Sequence, residues 1–151
     1  MTGRMPTDLI PTYQGAVYPW HCDQMGHMNV MWYVGKFDEA TWNLFARMGF
    51  TTAYMKASGS GMAAVDQRIQ YRRELMPGDT LSIASGVLEV REKAVLFFHE
   101  MRNNQSGEVS ATCRILGVHM DAVARRAKPF PPDFADRART LLRSYDFGDR
   151  T

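Results

Sequence analysis

The sequence predicts an α+β architecture, a curled antiparallel sheet wrapped around one long helix. Two observations carry that expectation. A single stretch, beginning near Asn29, repeats apolar residues every three or four positions for about five turns. Four strand-like runs then follow, separated by turns too short to hold a helix. A parallel sheet would need a helical crossover between successive strands, and there is no room for one.

The helix is the clearest element. Val30, Tyr33, Val34, Phe37, Ala40, Leu44, Phe45 and Met48 outline its apolar face. Asn29 is a favourable N-cap and Gly49 a favourable residue just past the C-terminus, giving about 19 residues and a length of roughly 28 Å. The strand runs are MAAVDQRIQYRREL from Met62, TLSIASGVLEVRE from Thr80, AVLFFHEMR from Ala94 and EVSATCRILGVHM from Glu108. Pro77-Gly78-Asp79, Glu92-Lys93 and Asn103 to Gly107 divide them, each short enough for a hairpin, so a four-stranded meander is expected. Leu81, Ile83 and Val87 share a face, whereas Leu88 and Val90 fit only if a bulge near Gly86 shifts the phase. Tyr13 to Trp20 adds an edge strand. After Pro131-Pro132, residues Phe134, Ala138, Leu141, Leu142 and Tyr145 mark a C-terminal amphipathic helix over about 132–145.

A chain of 151 residues is the usual size of one domain, and residues 1–151 are read as one, with its core at about 13–122. Hydrophobic residues at 45% and charged residues at 23% exclude a disordered or fibrous chain. A net charge of +2 with interleaved signs offers no polybasic arm, so no nucleic-acid partner is expected. The opening MTGRMPTDLIP lacks an apolar leader core, and no run reaches the roughly 18 apolar residues that span a bilayer. The expectation is a cytoplasmic protein without a membrane partner, whose two cysteines, Cys22 and Cys113, stay reduced.

The polar stretch HCDQMGHMN, residues 21–29, stands immediately before the helix. Backbone N–H groups at a helix start have no intrahelical acceptor and favour negative charge. Donors aimed there stabilise the oxyanion of an acyl-transfer reaction. Gly26 lets the loop backbone approach a ligand. Asp23 supplies a carboxylate beside the same point, able to activate water or to attack directly.

The arrangement Asp23-x-x-Gly26-His27-x-Asn29-x-x-x-Tyr33, the long helix, and Tyr71 followed by Pro77-Gly78-Asp79 resemble hotdog-fold acyl-CoA thioesterases of the 4-hydroxybenzoyl-CoA thioesterase type. The likeness covers roughly residues 13 to 122. It implies a homodimer or homotetramer with active sites at the subunit interface and an acyl-CoA substrate. It implies Asp23 as the catalytic carboxylate, Val30 as the oxyanion donor through its backbone N–H, and Asn29 facing the thioester. Gly26, His27, Trp32 and Tyr33 are the expected substrate-binding residues. No metal or organic cofactor is expected, because a thioester is already activated.

Other readings attach to the same residues. His21, Cys22, Asp23 and His27 are possible metal ligands, but adjacent residues rarely converge on one ion and no paired spacing is present. Cys22 as nucleophile would need a positioned base. Gly59-Ser60-Gly61-Met62-Ala63-Ala64 leads into a strand instead of out of one, so a dinucleotide site fails and a linker is expected. A non-hydrolytic acyl-CoA binder would leave Asp23 without a task. A dehydratase would pair a histidine with Asp38 or Glu39, and no histidine partner is evident. Trp20, Trp32 and Trp42 lie near the loop in sequence and suit a quaternary ammonium group on the acyl chain. Arg72, Arg73, Arg91, Lys93, Arg125 and Arg126 are candidates for the coenzyme A phosphates.

Overall fold

The computed structural model describes residues 8–148, so residues 1–7 of the opening segment lie outside the described part. Strand β1 (Ile10–Ala16) leads through a 3-10 turn (Pro19–His21) to helix α1 (Val30–Arg47). A short helix α2 (Thr52–Ser58) precedes the strands β2 (Ser60–Tyr71), β3 (Thr80–Val90), β4 (Ala94–Asn103) and β5 (Val109–Asp121). A two-residue strand β6 (Arg126–Ala127) and helix α3 (Pro132–Thr140) complete the order.

Helix α1 begins and ends where its sequence says. Asn29 accepts a hydrogen bond from Met31 N–H, and Gly49 adopts φ +89°, the left-handed conformation that closes a helix. Phe37, Ala40 and Leu44 are fully buried, packed with Phe97 of β4. Val30 and Val34, expected on that face, are instead exposed at 56% and 42%. With Trp42 they fall on one stripe of the helix, and Val30 and Trp42 line pockets shared with β2 residues.

The sheet corrects the expected meander. Its order is β1-β3-β4-β5-β2, all antiparallel, so β2 pairs with β5 and not with the β3 that follows it. Pro77-Gly78-Asp79 is therefore not a hairpin turn. It ends a crossover, residues 72–79, that carries the chain from one sheet edge toward the other and docks on the β1 end through Val17 N–H to Asp79 O and Gly78 N–H to Val17 O. Turn chemistry alone cannot separate a hairpin from a crossover, because both need the same sharp reversal. The expected bulge in β3 exists, displaced to Leu88, between Val87 and Glu89. Gly86 serves a different end: a Cβ there would lie 2.8 Å from Phe98 and from Arg143. Residues 141–143 fill the space, Val87 N–H donating to Leu141 O and Arg143 N–H to Val87 O. The C-terminal helix is correspondingly shorter than expected, ending at Thr140. Gly59, read as linker, is the left-handed cap of α2, a helix too short for periodicity to reveal.

A buried polar chain ties the helix to the sheet. Thr41 Oγ1 donates to Phe37 O (2.9 Å), so at 2.8 Å it accepts from His99 Nε2. His99 Nδ1 lies 2.5 Å from Ser85 Oγ, which is 2.8 Å from Thr12 Oγ1, and Thr12 Oγ1 also donates to Ile83 O (3.2 Å). A neutral imidazole with its proton on Nε2 lets Nδ1 accept from Ser85 and satisfies both ring nitrogens. Burial agrees, pulling the His99 pKa down to about 3. A histidine that cannot take a proton when folded, yet takes one when unfolded near pH 6.5, costs stability as pH falls below 6.5 until its folded pKa is reached. In urea titrations at pH 6.5 and 5.0, a His99→Gln variant should be less stable than the parent at the upper pH, yet lose less on acidification, by about 1.4 kcal/mol per pH unit. Parallel losses would contradict the neutral, buried assignment.

Candidate active site

The 21–29 loop is a miniature hairpin. Cys22 and Met28 bridge it, Asp23 N–H donates to His27 O (3.3 Å), and Gly26 N–H donates to Asp23 O (2.9 Å). Gly26 turns the chain at φ +86°, a conformation that side chains with a Cβ resist. No protein atom crowds it, so its glycine is required here by the turn. The crossover from β2 supplies the loop's floor: Met28 N–H donates to Leu75 O (2.8 Å), and His27 Nε2 stands 3.5 Å from the Glu74 carboxylate. His27 thus orients the loop. Glu74 and Leu75, expected at the end of the first strand run, lie instead in the crossover, and that is what brings them under the loop.

Asn29 joins the loop to the helix. Its Oδ1 accepts from Met31 N–H (3.0 Å) while its Nδ2 donates to Asp23 Oδ2 at 2.7 Å. The other Asp23 oxygen accepts from Met25 N–H (2.8 Å). These bonds, the Asn29 amide first and the Met25 N–H second, hold the Asp23 pKa below the usual carboxylate range. An ionised carboxylate is therefore fixed at the leading end of α1. The N–H of Val30, the first helical residue, has no acceptor among the described residues.

Two clefts flank this end. One, of about 280 Å³, is lined by His27, Val30, Tyr33, Tyr71, Arg72 and Glu74 among others. The second, of about 880 Å³ and wide open, includes Tyr18, Trp20, His21, Trp32, Lys36 and Glu39. Asp23 lines neither; it sits on the loop between them. Tyr33 presents little of itself: it is 4% exposed, meets Tyr71 edge to face at 5.1 Å, and burial raises its pKa to about 12. Trp32 packs on His21 at 4.5 Å in the larger cleft.

The three tryptophans separate. Trp20 and Trp32 share the larger cleft with Lys36, whereas Trp42 stands beside a third, smaller pocket farther along α1. Lys36 was missed by sequence reasoning. It is 4% exposed and donates to Tyr13 Oη at 3.1 Å. Its position between the apolar Tyr33 and Phe37 was the available signal. Of the basic candidates, Arg72 and Arg73 line the smaller cleft, Arg72 donating to Gln70 and to Phe147 O and Arg73 pairing with Glu108 (2.8 Å), while Arg91 pairs with Glu89. The Cys22 thiol donates weakly to Tyr18 O (3.8 Å), with no base positioned to activate it. Among the described residues no three His, Cys, Asp or Glu side chains gather as a metal-ligand set. Among the described residues no histidine hydrogen-bonds or ion-pairs with Asp38 or Glu39; His99 is enclosed against Thr41, and His21 lines the larger cleft with Glu39 without bonding to it.

A curled sheet around a central helix, with a carboxylate tethered at the helix start, is the architecture of the hotdog thioesterases. A family model described as the thioesterase-like superfamily matches residues 17–138. The chain belongs to that superfamily. It is 26% identical over 140 residues to an L-carnitine dehydrogenase/betainyl-CoA thioesterase of Rhizobium meliloti, a match covering 93% of this chain and 27% of that one. The chain thus spans about a quarter of that relative. It is 22% identical to a betainyl-CoA thioesterase of Pseudomonas aeruginosa, covering 92% of this chain and 87% of that one. A Staphylococcus aureus protein solved in complex with CoA superposes with a TM-score of 0.84 at 15% identity, covering 92% and 90% of the two chains. No helix among the described residues is long and apolar enough to cross a membrane.

Asn29→Ala removes both the helix cap and the tether. It should lower stability by about 1 kcal/mol in thermal or chemical unfolding. By carboxyl NMR titration, the Asp23 pKa should move up toward the ordinary value. An unchanged titration would show that Asn29 caps the helix without holding Asp23.

Proposed function

We propose that this protein hydrolyses an acyl-CoA thioester to a carboxylic acid and free coenzyme A. The observation that carries the reading is the pairing of Asp23, tethered to Asn29 at 2.7 Å, with the unpartnered Val30 N–H at the helix start. In this reading the thioester carbonyl oxygen accepts from Val30 N–H, which stabilises the oxyanion as it forms. Asp23 takes a proton from water as the water oxygen adds to the carbonyl carbon, or adds directly to give an anhydride that water then opens. Both routes break the C–S bond: in the first the proton taken by Asp23 passes to the departing thiolate, and in the second the thiolate leaves as the anhydride forms and the water that opens the anhydride supplies the proton that balances it. The low Asp23 pKa keeps the carboxylate ready at neutral pH. Arg72 and Arg73 line the adjoining cleft, and in this reading they meet the coenzyme's phosphates.

The names of the curated relatives direct the choice of acyl group toward betainyl, a two-carbon acyl chain ending in trimethylammonium. In this reading residues 1–151 form one thioesterase domain that works in the cytoplasm without a cofactor, and as a homodimer at least. The free edge of β2 and the uncovered apolar residues Val30, Val34, Trp42 and Val65 support the dimer.

Two substitutions test the chemistry with a free-thiol release assay. Asp23→Asn should lower kcat by about 10²-fold or more while leaving acyl-CoA binding nearly unchanged. Val30→Pro, with Val30→Ala as the control for the lost side chain, removes the N–H at the one helical position where proline is welcome and after a residue already extended (Asn29 ψ 149°). It should keep the melting temperature within a few degrees and cost about 10²-fold in kcat. An Asp23→Asn enzyme with wild-type turnover would overturn the reading, and undiminished binding without turnover in the wild type would identify a binding module.

A further inference from the structure

We propose that the pocket bounded by Trp42, Asp38 and Phe45 seats the cationic head of an acyl chain whose thioester is held at the Asp23 loop of a second copy of this chain. The inference rests on the acyl-CoA thioesterase reading and assigns the residues that select the acyl group.

The pocket's composition suits a compact quaternary ammonium. Its volume is about 120 Å³, and it is lined by the indole of Trp42, the ring of Phe45, the thioether of Met62, and the side chains of Asp38, Thr41 and Gln67, among others. Trp42 and Phe45 meet edge to face at 5.8 Å, which sets two aromatic surfaces at a right angle around one space. Aromatic faces attract a desolvated cation through the ring quadrupole, and a carboxylate beside them completes its neutralisation. No lysine or arginine lines the space. The two clefts at the helix start fail on that count. The larger holds the buried ammonium of Lys36 beside its aromatic wall, and the smaller holds Arg72 and Arg73. Of the three tryptophans, only Trp42 stands where a second positive charge meets no repulsion.

Reach decides which copy's thioester the pocket serves. In a betainyl group two bonds, about 2.5 Å, separate the carbonyl carbon from the ammonium nitrogen. Asp38, the pocket's nearest residue on α1, is eight residues beyond Val30, about 12 Å along the helix. Strand β2 shows the same separation: Tyr71 shares a cleft with Val30, while Met62, Ala63, Ala64 and Gln67 line the distant pocket. A chain therefore cannot fill its own pocket from its own Val30 amide. A second copy resolves this. β2 is an unpaired sheet edge, and pairing it with itself about a two-fold axis is antiparallel. Each copy's Tyr71 end, with its Val30 and Asp23, then lies beside the other copy's Met62 end and its Trp42 pocket.

The test compares betainyl-CoA with 3,3-dimethylbutyryl-CoA, its neutral isostere, by thiol release. The wild type should favour the cation about tenfold or more in kcat/KM. Trp42→Leu and Asp38→Asn should each erase most of that preference while leaving the neutral ester hydrolysed, and Trp42→Phe should keep it. Both target residues are exposed, and hydrolysis of the neutral ester reports a folded enzyme. Co-expression of Asp23→Asn with Trp42→Leu should then restore betainyl-CoA hydrolysis to about a quarter of wild type, because half the dimers are mixed and each mixed dimer has one intact site. Absence of release from every ester would overturn the thioesterase reading itself. Release without preference for the cation would overturn the pocket assignment alone. Preference without complementation would overturn its placement across two copies.

Discussion

The site depends on one side chain that makes two hydrogen bonds in opposite senses. The Asn29 oxygen accepts from Met31 N–H and starts the helix, while its nitrogen donates to Asp23 and holds a carboxylate at that start. Without the first bond the helix loses a cap; without the second the carboxylate keeps only its bond from Met25 N–H and loses its link to the helix start. The Val30 N–H falls between them because a cap leaves the first helical amide unpaired. Secondary structure, charge placement and an open donor therefore follow from a single residue and its spacing.

That arrangement is only as rigid as its surroundings. The loop is closed by its own short bridge and floored by Leu75 and Glu74 from the crossover. The helix behind it is fixed by the fully buried Phe37 and Leu44 and by the Thr12–Ser85–His99–Thr41 chain, which reaches from β1 through β3 and β4 to α1. Truncating a buried Phe costs about 3–5 kcal/mol, a sizeable part of a domain's whole stability. Small displacements of the helix start are thus resisted by the core.

Local features were legible in the sequence and long-range ones were not. The cap at Asn29, the closing Gly49, the run of α1 and the carboxylate at Asp23 all express interactions within a few residues of each other. The pairing of β2 with β5 joins residues some fifty positions apart, and the Pro77-Gly78-Asp79 turn looks the same whether it closes a hairpin or a crossover. Gly86 was rightly marked as irregular, yet its close approach to Arg143 depends on a segment far down the chain. Val30 and Val34 fit the apolar periodicity and are exposed in the single chain. Periodicity records that a face is apolar, not whether its own chain or another copy covers it. Lys36, Trp20, Trp32 and Trp42 could be placed on the helix or loop from sequence, but their division between two clefts is a property of the packed sheet.

The most direct measurement is a crystal structure with a non-hydrolysable ketone analogue of an acyl-CoA, in which a methylene replaces the thioester sulfur. The expected result is a carbonyl oxygen 2.7–3.1 Å from Val30 N, with the Asp23 carboxylate facing the carbonyl carbon and still bonded to Asn29. A carbonyl seated elsewhere, with the Val30 amide solvated and Asp23 turned from the ligand, would contradict it.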